Sequence, residues 1–176
     1  ENGQAKNVLL ENGGMLFVAG GTSATGTTIN DGGTLDVSGG GNATGVQQEE
    51  GGALIASTAS GTVVKGNNAR GEFSIENGQA KNVLLENGGM LFVEGGTSAT
   101  NTTIYQGGLQ YVYSGGSATG TTINNGGEQD VSGTAKDTTI YQGGLQYVRD
   151  GGSATGTTIN DGGKQTVDSG GWKTGV

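Results

Sequence analysis

Histidine and cysteine are both missing from the 176 residues. The commonest general base, the thiolate nucleophile and the usual transition-metal ligands are therefore not on offer. Carboxylates remain, but Asp31, Asp161, Glu50 and Glu11 stand within two residues ahead of a Gly-Gly pair, a turn position that accounts for them without catalysis. Asp36, Glu128 and Asp130 fall in strand-like stretches, whereas hydrolysis by paired acids needs two carboxyls facing across a groove. No Gly-Lys-Ser/Thr follows the Gly pairs, and the nine-residue G-G-x-G-x-D calcium repeat is missing, so neither phosphate nor metal has a loop to bind. The chain reads as non-catalytic, without cofactor or metal. Hydroxyls and aromatic rings are the groups that recur. Thr28, Thr103, Thr122, Thr139 and Thr158 form one column, and Ser23, Thr25, Ser98, Thr100, Ser117, Thr119, Ser153 and Thr155 lie at what reads as a corner. Phe17, Phe92, Tyr105, Tyr111, Tyr141 and Tyr147 point outward by parity. Thr and Tyr are good strand formers in their own right, but repeated large rings on an outer face also suit weak, many-fold contacts with sugars or with another copy.

Those columns exist because the chain repeats. ENGQAKNVLLENGGMLFV occurs at 1–18 and again at 76–93, and Gly-Gly recurs at 13, 32, 51, 88, 107, 126, 143 and 162, mostly in steps of 19 with one of 17. A consensus near A-T-x-T-T-I-N-x-G-G-x-x-x-V-x-x-G-G-x emerges, as in ATGTTINNGGEQDVSGTAK at 118–136. Thr27 and Ile29, Thr102 and Ile104, or Thr121 and Ile123 share one face, and Leu35 and Val37 do the same in a second stretch. Period two marks half-buried strands, and the Asn/Asp-Gly-Gly and Ser-Gly-Gly strings mark turns. Two arrangements fit: a run of hairpins, or a coil in which each unit is a rung stacked on the next. Like stretches match from unit to unit while neighbouring stretches do not, which favours the parallel β-helix. About nine rungs at roughly 4.8 Å each would give a rod on the order of 45 Å long.

Composition agrees. Forty Gly and no Pro exclude both a helix bundle and collagen. Apolar residues at fixed places in the period argue against disorder, although a polar Gly/Ser/Thr-rich chain is its usual carrier. The formal charge of −8 disfavours nucleic acid and anionic membranes as partners, and no apolar run is long enough to insert in a bilayer. The sequence starts inside a repeat, so residues 1–176 are expected to be a single β-helix segment of a longer chain.

Two stretches depart from the consensus. Where Leu16, Leu35, Leu54 and Leu91 stand in some rungs, others carry Gln110, Gln129, Gln146 and Gln165, each two residues before a buried-type Val. We read these as an inward ladder of amides pairing from rung to rung, the alternative being a wet corner that tolerates Gln. Residues 53–79 lose the Gly-Gly pair, but counting by 19 carries Val64 onto Val83 and Phe73 onto Phe92, so the region is expected to be one diverged, bulged rung.

SGGSATGTTINNGGEQDV and YQGGLQYVYSGGSATGTTIN resemble the passenger domain of self-associating autotransporter adhesins, of the diffuse-adherence and TibA-type kinds. The likeness covers essentially the whole chain, and its S-G-G-x-A-T-x-T-x-I-N-x-G-G string is fairly specific. It implies an all-β, right-handed parallel β-helix solenoid displayed on the bacterial surface, carried there by an outer-membrane barrel, or secreted. It further implies adhesion to host cells, autoaggregation, biofilm formation, and O-linked heptose added to Ser and Thr by a dedicated heptosyltransferase. The acceptors would be the thirteen hydroxyls named above, and the partners would be that enzyme, other copies of the chain and the host-cell surface. At 1–18 and 76–93, Lys-Asn-Val-Leu-Leu replaces Thr-Thr-Ile, so those rungs should lack acceptors. Two other readings stand beside this one: a Thr-rich ice-binding β-helix, and a polysaccharide-processing enzyme built on the same coil.

Overall fold

The computed structural model describes residues 3–175, and among them there is strand and turn but no helix. Eight rungs follow one another, and Trp172–Thr174 opens a ninth. A regular rung has three strands, as in Ser98–Thr100, Thr103–Ile104 and Leu109–Val112. Each pairs in parallel with its counterpart 19 residues on: Ala99 with Ala118, Ile104 with Ile123, Val112 with Val131. Three sheets result, and we call their outer surfaces the first, second and third faces in that order. The solenoid and its near-19-residue beat are as expected. The third strand is a correction, because Ser-Ala-Thr was assigned to a corner. It is a short strand whose small middle residue points in: Ala24, Ala99, Ala118, Ala135 and Ala154 are all buried.

Local chemistry explains the corners. After this short strand the chain turns through one residue with positive φ, which is Gly120 and Gly156 in some rungs and Asn82, Asn101 and Asp137 in others. Gly, Asn and Asp are the residues that tolerate this left-handed region. The next corner is a tight turn, with the Gly108 N–H donating to Tyr105 O at 2.9 Å. Its second Gly must stay bare, because a Cβ on Gly144 would lie 2.7 Å from Ile123 O in the preceding rung. The single 17-residue step arises at the remaining corner, where Ser132-Gly133 does the work of the four residues Tyr113–Gly116.

Inside, the Ile29, Ile104, Ile123 and Ile140 column is fully buried, as are Val131 and Val148. The amide ladder is present. Gln129 Nε2 donates to Gln110 Oε1, Gln146 Nε2 to Gln129 Oε1 and Gln165 Nε2 to Gln146 Oε1, each at 2.7 Å. Inward threonines complete it: Gln110 Nε2 donates to Thr102 Oγ1 at 2.9 Å, and Thr138 Oγ1 donates to Gln129 Oε1 at 3.3 Å. Amides can replace Leu here because each finds partners within the stack, which removes the cost of burying it.

Residues 53–79 are not one diverged rung but hold an inserted hairpin, although the register into it does shift between Ala43 and Val46. Val63–Asn68 lies parallel to Asn42–Gln48, after which Gly71–Glu76 returns antiparallel to it and Gln79–Lys81 reverses again. Val64 pairs with Ile75 and Phe73 with Gly66, not with the residues 19 further on. A two-residue loop, Asn77-Gly78, makes the second reversal with φ of 52° and 71°, as hairpin turns of this length require. The hairpin adds strands to the first sheet alone. In the third sheet Ala53–Ser57 pairs directly with Met90–Val93, and Leu91 meets Ala56, a shift of two from the Leu35–Leu54 register. An even shift keeps every side chain on its own face.

Candidate functional site

Among the described residues no three acidic groups lie close enough to hold a metal ion. The candidate groups are instead spread along three faces. On the first face the outward columns are hydroxyl-rich. Ser98, Ser117, Thr134 and Ser153 stand in register, and beside them run Thr100, Thr119, Lys136 and Thr155. Thr25, Thr100 and Thr119 are exposed, whereas Ser23, Ser98, Ser117, Ser153 and Thr155 are half-buried. Thr134 belongs to the same column and escaped the sequence reading because its rung is two residues short.

The second face carries one outward residue per rung. Thr103, Thr122, Thr139 and Thr158 are stacked in register, with Leu84 below them. Thr28 has Leu9 on one side and Gln47 on the other. Thr158 is exposed, and Thr28, Thr122 and Thr139 are half-buried. Thr103 departs from the expected outward hydroxyl, because only 2% of it is accessible. It lies against Leu84, itself buried, next to the tip of the inserted hairpin, where Ala69 and Leu84 line a common recess.

The third face alternates apolar and aromatic rungs with charged ones, Asp36, Glu128 and Asp130 among them. Phe17, Phe92, Tyr111 and Tyr147 lie on it, with Met15, Ile55, Met90, Leu109 and Leu145. The rings of Phe92 and Tyr111 stack at 5.4 Å with planes 3° apart. Tyr113, which sequence reading left out, stacks on both, at 6.2 and 6.1 Å. The Tyr147 ring is covered by the Arg149 guanidinium at 4.4 Å. Phe17, by contrast, has no aromatic partner among the described residues and is 65% accessible. Tyr105 and Tyr141 sit elsewhere, on the corner between the second and third faces, and both are exposed.

Charge is held in place on the third face. Arg149 donates from Nε and Nη2 to the two carboxylate oxygens of Asp130, both at 2.8 Å, and reaches Asp168 at 3.7 Å. The bidentate bond raises the guanidinium pKa further, so Arg149 stays charged. Partial burial pushes the carboxyls of Asp36 and Glu128 up from their ordinary values, and Asp130 beside Glu128 adds to the effect.

Comparison with known proteins fixes the lineage. A family described as "Adhesin of bacterial autotransporter system, probable stalk" matches residues 1–52 and 65–127. The chain belongs to this autotransporter adhesin stalk family. The gap between the two matched stretches, residues 53–64, holds the strand Ala53–Ser57 and the loop that leads into the hairpin. Autotransporter CRAC of Citrobacter rodentium (strain ICC168) is 59% identical over 98 residues, which is 56% of this chain and 6% of that protein. Probable autotransporter YpjA of Escherichia coli (strain K12) is 48% identical over 117 residues, covering 55% of this chain and 8% of that one. This stalk segment thus spans less than a tenth of the curated relatives it matches. Among solved structures, the TibC-catalysed hyper-glycosylated TibA55–350 fragment aligns over 98% of this chain and 82% of its own, with 30% identity and a TM-score of 0.49.

Proposed function

We propose that this stalk segment is a non-catalytic part of a surface-displayed or secreted adhesin and an acceptor of O-linked sugar on its first and second faces. The donor enzyme would be a dedicated heptosyltransferase, as the sequence resemblance implies. The observation that carries this reading is the pair of hydroxyl-bearing faces, where Ser and Thr recur in register from rung to rung. An enzyme that recognises one rung meets the same backbone and the same hydroxyl at the next. Exposure orders the acceptors: Thr25, Thr100, Thr119 and Thr158 come first, the half-buried hydroxyls follow, and Thr103 is not one of them. Intact mass after co-expression with the heptosyltransferase should increase by multiples of one heptose, and site mapping should find Thr103 bare. A single unmodified mass under those conditions overturns the modification reading.

The third face is the surface we assign to contact between copies and with host cells, through which autoaggregation and biofilm formation would arise. Phe92, Tyr111 and Tyr113 form an aromatic cluster on it. Sedimentation of the purified segment should reveal concentration-dependent association that Tyr111→Ser with Tyr113→Ser weakens. A monomer at every concentration would remove this assignment. The ice-binding alternative needs flat, uninterrupted threonine columns, and Lys81 and Lys136 interrupt the first face as Leu84 ends the column on the second.

A further inference from the structure

Inserting a hairpin into one sheet only leaves the third and fourth rungs imperfectly joined, and that junction carries a recess of about 510 Å3. Elsewhere along this corner the rungs are tied by backbone bonds between successive glycines, as from Gly88 N to Gly107 O at 2.9 Å. Between Gly51 and Gly88 side chains take over. Glu86 accepts from the Gly51 N–H, and Asn87 Nδ2 donates to Gly51 O at 3.0 Å. Gln48 occupies the inward column of Ile29, where its Nε2 donates to both Gly52 O and Leu84 O at 3.0 Å. Turning the amide would break both bonds, so Oε1 is fixed as a buried acceptor without a partner.

The recess runs along the corner past Gln48, Glu50, Glu86, Tyr105, Gln106 and Asn124. Its size falls in the range of small-ligand clefts, about 300–1,000 Å3. One aromatic ring, four amides and three carboxylates make a lining suited to a molecule with many hydroxyls and one apolar face. Amides both donate to and accept from hydroxyls, carboxylates accept from them, and an aromatic ring packs against the C–H face of a pyranose. No Lys or Arg lines the recess, so an acidic sugar would meet only negative charge. A metal ion is a poorer fit, since the acids do not converge. We infer that this recess binds a neutral oligosaccharide, with Tyr105 as the stacking residue and Gln106 and Asn124 as hydroxyl partners. The inference deepens the adhesin reading and rests on it, because it names a class of ligand for which the rod would have a built site.

Saturation-transfer NMR on the unmodified segment tests it, with maltotetraose, cellotetraose and lacto-N-tetraose as neutral probes and a sialylated tetrasaccharide as the acidic one. Transfer to at least one neutral probe is expected, and little to the acidic one. Tyr105→Ala should weaken the titrated affinity about three- to tenfold. Tyr141→Ala, on the same corner two rungs away and outside the recess, should leave it unchanged. Should Tyr105→Ala fail to fold, Asn124→Ala replaces it with the same expected direction. No transfer to any neutral probe, equal loss in the Tyr105 and Tyr141 variants, or preference for the acidic sugar overturns the inference. Cells displaying the segment that still adhere when the purified rod binds no neutral sugar would sink this inference and leave the adhesin reading intact. Sugar binding without adherence would do the reverse.

Discussion

Thr27 and Thr102 occupy the same inward place in their rungs, but the side chain across the coil differs. Eight positions on, Thr102 has Gln110, whose amide donates to its hydroxyl, while Thr27 has Leu35 and its Oγ1 is buried without a partner. A hydroxyl in that state costs free energy that an isosteric methyl would not. Thr27→Val is therefore expected to raise stability by about 1 kcal/mol, read as a higher urea midpoint. Within the ladder the sign reverses. Gln129→Leu removes the acceptor of both Gln146 Nε2 and Thr138 Oγ1 and should cost about 2–4 kcal/mol by the same measurement. An unchanged midpoint would mean that water reaches the column. The ladder was legible in sequence, because each Gln keeps the parity of the Leu it replaces. The unpartnered Thr27 was not, since it depends on what stands across the coil.

At the scale of elements, the hairpin between Val63 and Glu76 is the feature that breaks the repeat. Its second turn uses Asn77-Gly78, and Asn-Gly between alternating stretches is a hairpin signal in its own right. The repeat masks that signal, because ENGQ also opens the chain and counting by 19 carries Val64 onto Val83. Gly78 has φ of 71°, so Gly78→Val forces a β-branched residue into the left-handed region. We expect a loss of about 1–2 kcal/mol, with accelerated amide exchange at residues 71–81 before the distant rungs are affected. Uniform acceleration along the rod would show instead that the hairpin and the rungs unfold as one unit.

Across the whole molecule the excess of acid sets the pH response. Burial raises the carboxyl pKa of Asp36 above 3.8 and those of Glu86 and Glu128 above 4.5, with Glu50 and Asp31 adding to the effect at Glu86 against the opposing bond from the Gly51 N–H. A raised folded pKa means that the folded rod holds these protons more tightly than the unfolded chain does. Their contribution is fully present below the ordinary values and is lost as pH rises through the raised ones. The urea midpoint should accordingly be higher at pH 5 than at pH 7. Protonation at Asp36 and Glu128 also removes charge from the third face of a chain that carries −8, so association measured by sedimentation should strengthen over the same interval. A midpoint that falls on mild acidification would contradict the assigned directions.

The twin segments at 1–18 and 76–93 separate what the sequence by itself determined from what the tertiary structure decided. Over their described residues the local conformation is the same. Asn7 and Asn82 turn at φ of 54° and 57°, Asn12 and Asn87 at 51° and 50°, and Met15–Val18 and Met90–Val93 are matching strands. Turn preference and side-chain alternation act over a few residues, so equal sequences give equal rungs. Exposure is not equal. Leu9 is 57% accessible and Leu84 only 5%; Phe17 is 65% accessible while Phe92 packs with Tyr111 and Tyr113. What covers a side chain belongs to the neighbouring rung, 19 residues or a whole hairpin away, and the repeat cannot encode it locally. Phe17 meets Asp36 where Phe92 meets Tyr111, and Leu84 lies beside a hairpin tip that Leu9 lacks. The coil and its columns follow from the chain's own period, whereas the recess, the aromatic stack and the burial of Thr103 were decided by which rungs came to lie against one another.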